Sequence, residues 1–223
     1  MENKMLFIGA LGAFFLATAA TLVSDMRGIG DWFISSLQAR KVALNPASVY
    51  GSPYTIAGYF GEPLLILSIT MLTVGLYESW LKHHRPIALI AMSIGILYLL
   101  ERVFWSYATI NFANSIQNHS AINDYTVLTH AGFLKGLGAP FGGLIGGFGF
   151  STALTILFFS IRNPYGIAGG LIVLTAMLIG MPAKIYFMNH VSSTVFAAFI
   201  ASMVIKNFGI ILMGVGLLQE SWK

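Results

Sequence analysis

The chain has 223 residues, 57% of them hydrophobic and only 9% charged, where a soluble domain of this length carries roughly 25%; too little polar surface is present to coat a water-soluble globule. The formal net charge of +4 forms no basic patch dense enough for nucleic acid, and a modest Lys/Arg excess is ordinary for basic cytoplasmic loops. Cysteine is absent, which excludes disulfides, thiol catalysis and Cys-ligated metals.

Several apolar runs reach the ~20 residues a helix needs to cross a ~30 Å hydrocarbon core. They predict an all-α integral membrane protein, a six-transmembrane-helix bundle forming one polytopic domain over residues 1–223. The first span, about 5–24, has Ala17, Ala19 and Ala20 where a leader would be cleaved, and is read as a retained span. A long first outer loop follows, from Asp25 to Ile56, rich in aromatic residues and proline; it is either an ordered loop or a lid.

The second span, about 57–81, enters with Glu62 and Pro63 near its outer end. The short basic loop Lys82-His83-His84-Arg85 turns it back into the third span, about 86–108, where Glu101 and Arg102 fall in the outer third at ~1.5 Å per residue. A polar loop, 110–125, contains the formal glycosylation acceptor Asn118-His119-Ser120, which has meaning only in a secretory-pathway host. The fourth span, about 127–161, is too long for one perpendicular crossing, so it tilts or begins outside the hydrocarbon. It places His130 and Lys135 early and Gly138, Gly142 and Gly146 on one close-packing face, for a neighbouring helix, a second copy or a partner subunit. Arg162-Asn163-Pro164 turns into the fifth span, about 165–188, with Pro182 and Lys184 late in it and His190 just beyond. The sixth, about 194–218, carries Lys206 and Asn207 near its middle.

Basic residues orient the bundle. With both termini cytoplasmic, Lys4, Lys82, Arg85, Arg162 and Lys223 lie inside, as the positive-inside rule favours. A plasma or inner membrane is the expected location, with the lipid bilayer as surrounding medium.

Lys206 is the most informative residue, because an ammonium near the bilayer midplane costs about 2.5–3.5 kcal/mol or more and therefore faces protein or water. Helical spacing puts Ser202, Lys206 and Gly209 on one face. It puts Tyr98, Glu101, Trp105 and Thr109 on another, with Arg102 and Ser106 on the adjacent stripe. Glu101 and Lys206 are the expected buried pair. Snorkelling to the outer headgroups accounts for Lys184 and Lys135 but poorly for Lys206. Arg102, Lys135, Lys184 and Lys206 outnumber Glu62 and Glu101, so the expected ligand is anionic or zwitterionic: a carboxylate, a phosphate or a lipid headgroup. Lys206, Glu101, Arg102, Lys135, Glu62, His130, Lys184 and Asn207 form the candidate ligand-binding set. No helix carries histidines at metal-ligand spacing, and Ser151 lacks a nucleophile-elbow context.

Six spans, cytoplasmic termini, a long first outer loop and a polar site in the outer half resemble the substrate-binding subunits of energy-coupling-factor vitamin transporters. Ala13 and Ala17 match that family's AxxxA spacing on the first helix. The resemblance implies that the first outer loop covers the ligand and that Ala13 and Ala17 touch a transport partner. The lysine in the last helix also resembles that of retinal-binding rhodopsins, which need seven helices. The leading expectation is a solute-binding or transport protein. The alternatives are a membrane-embedded enzyme acting on a lipidic substrate, with Glu62 or Glu101 as general acid/base, and a structural or accessory subunit of a membrane complex.

Overall fold

A computed structural model of the chain describes residues 4–25, 29, 36, 56–81, 85–117, 147–189 and 192–223. Their secondary structure is entirely helical. Helix α1, Lys4–Ala20, ends in one π-helical turn, Thr21–Asp25; a second π-helical turn, Ala57–Gly61, leads into α2, Glu62–Leu81. The remainder are α3, Arg85–Gln117, α4, Phe150–Ser160, α5, Pro164–Asn189, and α6, Ser193–Ser221. The segments Lys4–Val23, Ala57–Tyr77, Pro86–Val103, Pro164–Ala183 and Ser193–Ser221 are each long and apolar enough to cross a membrane, whereas the described part of the fourth expected span, Gly147–Ser160, is shorter.

These boundaries follow the apolar pattern closely except in α3. That helix runs on to Gln117, through the first part of the expected polar loop. Between Pro86 and Gln117 the only helix breaker is Gly95, so nothing stops the helix when it becomes more polar. His130, Lys135, Gly138, Pro140, Gly142 and Gly146 lie outside the described residues, as do His190, the Asn118-His119-Ser120 acceptor and nearly all of the first outer loop.

Each helix packs against its neighbours in sequence, and α1 also packs against α6, so the six described helices form a closed ring. Small residues set how closely the axes approach. A Cβ on Gly75 of α2 would stand 2.6 Å from the Cα of Gly9 in α1, and one on Gly209 of α6 would stand 2.7 Å from the carbonyl oxygen of Gly169 in α5. Near the chain termini the ring is filled by buried Leu6, Leu72, Leu76, Leu157, Phe158 and Leu217.

The turn between α4 and α5 is over-determined. Arg162 adopts a left-handed conformation at φ 55°; Asn163 N–H donates to the Phe158 carbonyl and Arg162 N–H to that of Phe159, at 3.1 and 3.2 Å. This is the hydrogen-bond pattern that closes a helix by a left-handed residue just past its end. Asn163 then caps α5, its Oδ1 accepting from Gly166 N–H at 2.9 Å, and Pro164 occupies the first helical position, where its missing N–H is no loss. The amide of Asn163 reaches across to the end of α6, donating to Glu220 Oε1 at 2.7 Å and the Gly216 carbonyl at 3.2 Å. One residue thereby ends one helix through its backbone N–H, starts another through its side-chain oxygen and fastens both to a third through its amide.

Ala13 and Ala17 are buried in the core, with Ala13 facing Gly214 of α6. The two residues on which the AxxxA resemblance rests thus lie on a face that the chain itself covers. The small side chain of Ala13 lies in the contact of α1 with the last helix, the contact that closes the ring.

Candidate functional site

Opposite the end that carries both termini, the buried side chains include the charged residues Glu62, Arg102 and Lys206. Arg102 stands about 26 Å along α3 from Arg85, and Lys206 about 22 Å along α6 from Ser221, at 1.5 Å per residue. Both distances are shorter than the ~30 Å hydrocarbon core of a bilayer, and both residues are buried, at 9% and 7% exposure.

Arg102 is the centre of the first cluster. It continues a stripe of α3 made of Ala88, Ala91, Gly95 and Tyr98, the small members of which face inward and are buried. Gly95 leaves room for α2: a Cβ there would lie 2.6 Å from Thr73 Oγ1. One turn beyond Tyr98 the stripe delivers the guanidinium, whose central carbon sits 5.5 Å from the Tyr98 ring centroid in cation–π geometry. Tyr98 is held in turn by Phe150 of α4, with ring centroids 6.2 Å apart. Arg102 Nη2 donates to Glu101 Oε1 at 2.8 Å, and its Nη1 lies 3.7 Å from Glu62 Oε1. Glu62 is fully buried, at 0% exposure, at the start of α2, while the Glu101 side chain keeps 15%.

The guanidinium is under-used. It has five N–H donors, yet its one hydrogen bond among the described residues is the one to Glu101, and the buried Nε has no acceptor. A buried donor left unmade costs about 1–3 kcal/mol. Native interiors rarely keep such a group without a reason.

The second cluster lies where α6 meets the end of α1. Asn207 Nδ2 donates to Thr21 Oγ1 at 2.7 Å, and Thr21 Oγ1 donates to the Ala17 carbonyl at 3.1 Å. Lys206 Nζ donates to Met203 Sδ at 3.1 Å. Ser202, Lys206 and Gly209 share the buried face that their spacing predicts. The π-helical turns lie between the two clusters and touch each other: a Cβ on Gly61 would stand 2.8 Å from Val23 Cγ2. Such turns recur at functional sites because they re-aim the side chains beside them; here they adjoin Glu62 and Thr21.

This arrangement corrects the expected ion pair. Glu101 pairs with Arg102, not with Lys206, because the ring seats α3 between α2 and α4, away from α6. It also corrects the order of importance on α3, where Arg102 rather than Glu101 occupies the buried stripe. Glu62, Glu101 and Arg102 come together, while Asn207 meets Thr21 at the end of α1 and Lys206 meets Met203 one turn earlier in α6. Lys184 lies on α5 with its side chain outside the described set. Thr21 and Phe150 were not anticipated as members of these clusters, whereas Tyr98 was expected on the Glu101 stripe. The spacing Ala88, Ala91, Gly95, Tyr98, Arg102 is the signal that could have found the first. Among the described residues, no group of His, Cys, Asp and Glu is disposed to hold a metal ion.

Comparison with family models, with curated proteins and with solved structures gave no match.

Proposed function

We propose that this is a multi-pass membrane protein that binds a small solute through an anionic group at Arg102 and carries it across the bilayer. The observation that supports this reading is the buried guanidinium with one hydrogen bond and an Nε lacking an acceptor among the described residues. A carboxylate or phosphate completes such a fork with paired charge-assisted hydrogen bonds. Glu62 neutralises the guanidinium from the buried side, and Tyr98 fixes its plane. Six spans with cytoplasmic termini would put this site in the outer half of the bundle, above the apolar packing near the termini. The reading needs neither His130, Lys135 nor Lys184.

The test uses the whole chain in lipid nanodiscs, followed by its intrinsic tryptophan fluorescence on heating. Small carboxylates, amino acids and inorganic phosphate are the probes. At least one stabilises the wild type, and Arg102→Lys, which keeps the charge but not the fork, weakens that probe by tenfold or more. The stabilising probe is then taken up by proteoliposomes. An equal response from wild type and Arg102→Lys would remove the basis of the proposal.

A further inference from the structure

We infer that the path of the solute runs along the seam between α2 and α3, and that the Thr73 hydroxyl is a second, uncharged contact for it, midway between the two faces of the bilayer. The inference rests on the reading of Arg102 above and goes beyond it by assigning a further binding residue and a route. Its basis is one hydroxyl. Buried Ser68, Thr155, Ser202 and Ser221 each donate to a carbonyl three or four residues back in their own helix, at 2.6–2.7 Å. That is the ordinary way for a hydroxyl inside an apolar bundle to be satisfied. Thr73, at 6% exposure, departs from it: its Oγ1 has no hydrogen-bond partner among the described residues. A buried group left in this state costs stability and calls for a reason.

The position of Thr73 supplies one. Its hydroxyl faces α3, where Oγ1 is the atom nearest to a Cβ built on Gly95, at 2.6 Å. Gly95 stands about 15 Å along α3 from Arg85 and about 10 Å short of Arg102 at 1.5 Å per residue, which is half-way through a ~30 Å hydrocarbon core. Between the two lies Tyr98, whose ring meets the guanidinium. Phe150 closes the same place from α4, its Cε2 3.1 Å from the Gly95 Cβ position and its ring centroid 6.2 Å from that of Tyr98. Gly95, Tyr98, Phe150 and Thr73 thus shut the bundle on the side of Arg102 that leads to the termini. A solute held at Arg102 and carried across has to part them. A barrier that never opens gains nothing from a hydroxyl without a partner. A route for a polar solute needs a group that replaces the hydrogen bonds of water in the apolar middle, and a threonine both donates and accepts.

The test uses the whole chain, wild type and Thr73→Val, which keeps the shape and removes the hydroxyl. Acetate, glycine and inorganic phosphate are the probes. Thermal unfolding in nanodiscs reads stability and binding, and uptake of radiolabelled probe by proteoliposomes reads passage. Thr73→Val unfolds at the same or a higher temperature than wild type and binds the probe within twofold of it. Its uptake is at least tenfold slower, in maximal rate rather than in half-saturating concentration, and Thr73→Ser restores it. Uptake by Thr73→Val equal to wild type, or a lower unfolding temperature with binding and uptake falling together, overturns the role of Thr73 and leaves the Arg102 site standing. Binding without uptake in the wild type overturns the route in the same way. Failure of all three probes to bind the folded wild type overturns the Arg102 reading itself, and the route with it.

Discussion

Asn163 and Arg102 are both buried polar residues at the edge of a helix ring, and they are used in opposite ways. The Asn163 amide donates to Glu220, Gln219 and Gly216 while its carbonyl oxygen caps α5, so every part of the side chain is occupied. Arg102 is held by two carboxylates and an aromatic ring yet makes one hydrogen bond and leaves Nε without an acceptor among the described residues. A buried network that is fully satisfied rigidifies; one that is partly satisfied has capacity left for something else. The contrast separates a clasp, at the end carrying the termini, from a site, at the opposite end.

Substitutions can break this contrast, and the largest effect is expected at Arg102. Arg102→Met takes the guanidinium away from fully buried Glu62 and should cost about 3–5 kcal/mol, while the double replacement Arg102→Met with Glu62→Met should recover most of it. Denaturant titration in detergent, read by circular dichroism, measures both; equal losses in single and double variants would show that the pair is not coupled. Asn163→Ala removes a cap and several buried contacts together, for about 2–3 kcal/mol. If the clasp is purely structural, this variant loses stability without any change in which probe binds. Thr21→Val disconnects Asn207 from the π-helical turn and should cost about 1 kcal/mol. At the small end is Lys223→Ala, which deletes an exposed pair with Glu220 and should change stability by less than about 0.5 kcal/mol. A large loss there would mean that Glu220 depends on Lys223 to hold Asn163, and the clasp would need redrawing.

Much of this was legible in the sequence. Apolar run lengths located the five long apolar helices, and Arg162-Asn163-Pro164 marked the turn between the fourth and fifth expected spans. The Lys206 face was legible for the same reason, since helical period alone decides it. The partnership of Glu101 was not, because which helices become neighbours is a property of the whole ring rather than of any span. Glu101 drew attention as the carboxylate nearest in depth to Lys206. Its neighbour Arg102 carries the stripe begun by Ala88 and Ala91, where small residues mark the side that another helix approaches. The close approaches of α5 and α6 were also hard to see. Gly169 and Gly209 do their work as a pair across two helices, whereas the regular Gly138, Gly142 and Gly146 repeat dominates the linear sequence. Nothing in the composition of Thr21–Asp25 or Ala57–Gly61 signals a π-helical turn.

The most direct measurement compares ligand response in wild type, Arg102→Lys and Asn163→Ala, each as the whole chain in nanodiscs, by thermal unfolding with and without the probe solutes. The account predicts that the wild type and Asn163→Ala are stabilised by the same probe, Asn163→Ala from a lower starting temperature, and that Arg102→Lys folds normally and gains nothing. Stabilisation of Arg102→Lys equal to that of wild type, or its loss in Asn163→Ala alone, would contradict the division of the molecule into clasp and site.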